Sequence, residues 1–137
     1  MTRPRPRQSL PAAVVLLAAL TVSGCGDDEP AAVCSNVDAL QASVDAVTTV
    51  DLGQGALAEL QDNLTDVQSD LTALKDSAAD EYETEIDAVD DAATGVGSSL
   101  EVAVASPSAQ AVTDVGTAVQ ALGTSLSGLE EAVRSTC

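Results

Sequence analysis

Histidine, phenylalanine and tryptophan do not occur in this 137-residue chain, and Tyr82 is its only aromatic side chain. Without histidine, neither a Ser-His-Asp nor a Cys-His nucleophile arrangement can be drawn. Zinc sites need several Cys or His ligands, which three cysteines with other uses do not supply. A glycosidase-like carboxylate pair works in a sugar-lined cleft, usually walled by aromatics, and one tyrosine does not build such a wall. Lys75 and Ser77 stand two apart, so on a helix they face different ways and cannot act as a serine–lysine pair. These absences point to a non-enzyme without a cofactor. Positive charge is also scarce. Beyond position 25 only Lys75 and Arg134 stand against 22 carboxylates, a net charge of −20. Such a surface repels nucleic acid and anionic lipid headgroups and attracts cations or basic partners. The apolar run Ala12 to Val22 has 11 residues, well short of the ~20 that span a bilayer.

The first 25 residues nevertheless carry a recognisable layout. Arg3, Arg5 and Arg7 give a positive start, Ala12 to Val22 an apolar middle, and Ser23-Gly24 a small-residue end, the three parts of a secretory signal. Val22-Ser23-Gly24-Cys25 resembles the lipobox of bacterial lipoproteins. The resemblance implies cleavage between Gly24 and Cys25, diacylglycerol on the Cys25 sulfur, and a place on the outer face of the bacterial cytoplasmic membrane. Two or three acyl chains exceed what one chain needs for reversible binding, at about 0.8 kcal/mol per buried methylene. The expected organisation is a signal peptide at 1–24, a lipidated acidic tether at 25–33 and one helical domain at 34–137. The seven tether residues from Gly26 to Ala32 span at most about 25 Å.

Apolar residues in the remainder recur at alternating steps of four and three, the spacing of a helix packed on another helix. The series are Val33, Val37, Leu40, Val44, Val47; then Leu57, Leu60, Leu64, Val67, Leu71, Leu74; then Tyr82, Ile86, Val89, Ala93, Val96, Leu100; then Val112, Val115, Val119, Leu122, Leu126, Leu129, Val133. Alternation suited to a strand is confined to residues 100–104. The spacing predicts an all-α fold. Two breaks have clear causes: Gly53 and Gly55 cost about 1 kcal/mol each inside a helix, and Ser106-Pro107 reads as an N-cap followed by proline at the first helical position. Asp80-Glu81-Tyr82-Glu83 resembles a capping box, while Gly95-Val96-Gly97 reads as a possible kink.

With Cys25 consumed by lipid, Cys34 and Cys137 remain in an oxidising compartment, where a disulfide between them is expected. Bridged cysteines need Cα atoms within about 7 Å, so the first helix must begin where the last one ends. Two antiparallel bundles meet that condition. One has four helices near 34–50, 56–79, 81–104 and 107–135. The other has three, with residues 54–105 as one rod of about 78 Å carrying the outer helices end to end. The four-helix form buries more apolar surface and is preferred. A domain begun by a cysteine, Cys34, and closed by a C-terminal one, Cys137, also resembles small actinobacterial helical lipoproteins, a likeness that implies no particular activity.

The densest charge lies in Asp80, Glu81, Glu83, Glu85, Asp87, Asp90 and Asp91. Glu81 with Glu85, Glu83 with Asp87, and Asp87 with Asp91 are like charges four apart, each costing a few tenths of a kcal/mol on a helix. Glu81, Glu85, Asp87 and Asp91 are therefore weak candidate ligands for a divalent cation, although no EF-hand loop is present. The alternative for these residues is a solvated face on which Lys75 offsets Asp76, Asp80 and neighbours. Asn63-Leu64-Thr65 matches a glycosylation sequon but is given no role. The sequence thus predicts a membrane-anchored lipoprotein with a binding or spacer role in the envelope, touching a basic envelope protein and no nucleic acid. A weak divalent-cation-binding module is the second reading. The oligomeric state is open.

Overall fold

The computed structural model describes residues 28–53, 55–78 and 80–137. Four helices follow one another: α1 Asp28–Thr48, α2 Ala56–Ala78, α3 Glu83–Ala105 and α4 Ala109–Val133. At 1.5 Å per residue they are about 32 to 38 Å long, and the short connections force them to run up and down. Each packs on its sequence neighbours, and α1 closes the ring against α4, while α1 with α3 and α2 with α4 face each other across the diagonal. Contact is most extensive within the hairpins α3–α4 and α1–α2, and sparsest between α1 and α4. The long-rod arrangement does not form, because the chain turns between Ala78 and Glu83.

The cause of that turn is electrostatic and apolar together. No glycine or proline interrupts the sequence there, but a helix continued through Asp80, Glu81 and Glu83 would line up like charges along one rod. Breaking the chain puts Lys75 in the last turn of α2 and Glu83 and Glu85 in the first turn of α3, where each complements the helix dipole. Tyr82 swings inward to 6% exposure and serves as the N-cap without a side-chain capping bond, so the capping box expected at Asp80 is not used.

The core is aliphatic. Leu40, Leu60, Leu74, Leu122 and Leu129 are fully buried, and residues from all four helices join one apolar cluster. Of the expected seam residues only Leu57 and Val112 are half-buried instead of buried; Ala56, Ala78, Ala103 and Ala111 join the core at the ends of the helices. Among the described residues no charged side chain is buried. Residues 100–104 continue α3, leaving Val102 and Val104 exposed.

Two boundaries and one expected kink differ from expectation. α1 starts at Asp28, so residues 28–33, assigned to the tether, are helical, and Val33 is buried at 4%. The N-cap of α4 is Ser108, whose Oγ accepts the Ala111 N–H at 3.0 Å, and Ser106 instead ends α3. Pro107 fits this register, since it disfavours helix in the residue before it. Gly95 and Gly97 lie inside α3 without a break. In the α1–α2 connection, Gly55 takes φ +90°, a conformation costly for any residue with a Cβ.

Cys34 and Cys137 are joined, with Cα atoms 5.5 Å apart. The bond ties α1 to the end of α4 across the sparsest seam of the bundle. In the chain-entropy account, closing a loop of this size contributes about 4.7 kcal/mol. That is a large part of the 5–15 kcal/mol total usual for a domain.

Candidate functional site

The chemistry of the molecule gathers at the end where the disulfide lies. There α1 begins, α2 gives way to α3, and α4 finishes. The Tyr82 hydroxyl shares a hydrogen bond with Thr136 Oγ1 and lies 3.2 Å from Glu81 Oε1, so the only aromatic side chain clips the α2–α3 turn to the last residues beside Cys137. Cys137 is exposed and Cys34 half-buried. Asp76, Asp80, Glu81, Glu83, Glu130 and Glu131 crowd this same end; Arg134 pairs with Glu131 there at 2.6 Å, and Lys75 shares a cleft with Asp80 and Glu83.

Lys75 sits one step further along the α2–α3 seam. Its Nζ is 2.6 Å from Asp90 Oδ2 and 3.6 Å from Asp87 Oδ1. The hydrogen bond to Asp90 raises its pKa above the ordinary lysine value; burial opposes this, and the charges of Asp90 and Asp87 add to the rise. The partners expected from sequence, Asp76 and Asp80, are replaced by residues of the next helix, because Lys75 leans across the seam instead of along its own surface.

The four candidate metal ligands are not brought into one site. Glu81 lies in the turn and Asp91 on the exposed surface of α3; Asp87 is drawn to Lys75, and Glu85 is half-buried in the first turn of α3. Among the described residues no group of three or more carboxylates or cysteines converges as a metal would require. Spacing of four on a helix aligns such side chains on one face but leaves their roots 5–6 Å apart, and nothing from another helix closes the shell.

Polar contacts that sequence reasoning missed lace α1 to α2. Asn36 Nδ2 donates to Ala73 O at 3.1 Å and to Ser77 Oγ at 2.9 Å, Ser43 Oγ donates to Asp70 Oδ2, and Asn63 Nδ2 donates to Ala46 O at 3.2 Å. The amide of the sequon is thus already engaged in the fold. The signal for these pairs was a small polar residue flanking each seam position, legible only once the partner helix is known. Shallow clefts of about 180 to 200 Å³ run along the seams. One is lined by Lys75, Asp80, Glu83, Ile86 and Asp87, another by Val47, Thr48, Val50, Leu52, Gly116, Val119 and Gln120. These fall below the 300–1,000 Å³ typical of small-molecule pockets.

The expected lipidation and cleavage positions, Gly24 and Cys25, lie outside the described residues. Among the described residues no helix is long and apolar enough to cross a membrane. The chain matches no protein-family model, no curated protein and no solved structure.

Proposed function

We propose that the chain is a lipid-anchored helical bundle with a non-enzymatic binding or spacing role in the bacterial envelope, on the outer face of the cytoplasmic membrane. The observation that supports this most is the division of the cysteines: two are spent on each other, which leaves Cys25, the one behind Val22-Ser23-Gly24, as the remaining thiol. Because α1 begins three residues after Cys25, the start of α1 stands within about 10 Å of the lipid attachment and the disulfide within about 20 Å. The 49–55 and 106–108 connections are then held roughly 35 Å farther out. Such a rigid body suits presentation of a surface at a set height, and its carboxylates favour a basic partner protein.

Growth of the native host on labelled palmitate, followed by fractionation, tests the reading. The wild-type chain is expected to carry label, to lack residues 1–24 by mass, and to sediment with membranes, whereas Cys25→Ala stays unlabelled. An unlabelled wild-type chain in the soluble fraction defeats the proposal. Crosslinking of the anchored protein is then expected to recover one dominant basic partner whose yield falls as salt rises.

A further inference from the structure

We infer that the bundle is a redox-conditional fold, which at physiological ionic strength closes only when Cys34 and Cys137 have been oxidised to the disulfide. The inference rests on the described helices and holds whether or not Cys25 carries lipid.

Three observations carry it. The disulfide bridges the α1–α4 seam, where packing between neighbouring helices is sparsest, so the ring depends on a covalent tie at the place where apolar contact does least. The same end concentrates the carboxylates of Asp76, Asp80, Glu81, Glu83, Glu130 and Glu131, and the two cations near them, Lys75 and Arg134, leave it strongly negative. Like charges packed within a Debye length raise the free energy of the closed end, and the tie offsets part of that cost. Finally, the core holds no large aromatic besides Tyr82, so each helix contributes only valine, leucine, isoleucine and alanine. Loss of the tie shifts the folding equilibrium by about three thousandfold in the loop-entropy account, and native disulfides of this kind often decide whether a small domain folds at physiological temperature.

The chemistry is thiol–disulfide exchange. A disulfide oxidant of the dithiol/disulfide class is attacked by the Cys34 or Cys137 thiolate; the resulting mixed disulfide is resolved by the other cysteine. Two protons and two electrons leave the pair, and the oxidant departs as a dithiol. Reduction runs the same path backwards. A chain with reduced thiols therefore stays open, and the fold appears only where those thiols are oxidised.

The test follows helical circular dichroism and thermal melting of the chain as isolated from cells, before and after dithiothreitol, with thiol titration to verify reduction. The Cys34→Ser/Cys137→Ser chain serves as the form that cannot make the bond. Oxidised protein is expected to melt cooperatively. Reduced protein and the double variant are expected to lose most of the helical signal at physiological temperature, and to regain it in about 1 M sodium chloride, which shortens the Debye length to about 3 Å. Re-oxidation with oxidised glutathione restores the reduced wild type but not the double variant. A reduced chain that keeps its helix and a cooperative melt overturns the inference. So does a reduced chain that salt and re-oxidation both fail to restore.

Discussion

At the scale of single residues, Lys75 and Tyr82 connect parts of the chain that periodicity cannot link. Lys75 joins α2 to α3 through Asp90 and Asp87, and its folded pKa is raised. A group that holds its proton more tightly when folded adds stability while both states are protonated, below about pH 10.4, and that stability is lost as pH climbs through the raised folded value. The side chain is 40% exposed, so screening keeps the effect small. Lys75→Met is expected to cost less than about 1 kcal/mol by urea denaturation at neutral pH. The difference from wild type should hold up to about pH 10 and shrink as pH rises above it. Tyr82 presents a different case, since its ring is buried and its hydroxyl reaches Thr136 and Glu81. Tyr82→Phe keeps the ring and is expected to cost about 1 kcal/mol, whereas Tyr82→Ala opens a cavity at the turn and should cost about 3–5 kcal/mol. Equal losses for the two variants would mean that the ring contributes nothing.

At the scale of elements, the register of α4 is decided by which serine caps it. Ser108 Oγ accepts from Ala111 N–H, and Ser106 makes no comparable side-chain bond within the described structure. Ser108→Ala is expected to lower stability by about 1 kcal/mol and Ser106→Ala by less than half that, read as paired urea midpoints. The reverse ranking would restore the register expected from Ser106-Pro107. This pair shows where the sequence was legible and where it was not. Seam residues such as Leu60, Val67, Leu71 and Val115 could be read because burial repeats with the helical period. The disulfide could be read because two cysteines remained and a bundle with coincident ends satisfied them. Alanines 56, 78, 103 and 111 could not, since alanine suits core and surface alike and its burial depends on how closely the neighbouring helix approaches. Helix starts drifted for a related reason: Asp28 to Ala32 carries no apolar repeat, yet helix formation propagates back from Val33 once it is packed. As for the candidate cation site, spacing within one helix was visible, but the draw of Lys75 on Asp87 across the seam was not.

At the scale of the whole molecule, the balance of charge decides how the bundle responds to its medium. Twenty-two carboxylates face two cations beyond position 25, and the described attractive pairs are Lys75 with Asp87 and Asp90 and Arg134 with Glu131. All three contacts are solvent-exposed, so each contributes roughly 0–1 kcal/mol. Repulsion is spread over α2, α3 and the disulfide end, and it acts over distances that ordinary salt screens, with a Debye length of about 30 Å at 0.01 M against about 10 Å at 0.1 M. Salt therefore removes more repulsion than attraction. The oxidised protein is expected to gain several degrees in melting temperature between about 10 mM and 500 mM sodium chloride, the opposite of a protein held by surface ion pairs. Calcium distinguishes general screening from a specific site. If carboxylates such as Glu81, Glu85, Asp87 and Asp91 act only as a diffuse field, millimolar calcium added on top of 500 mM sodium chloride leaves the melting temperature unchanged, because the field is already screened. A further rise that saturates with calcium would instead require ligands assembled in solution that the folded chain does not bring together.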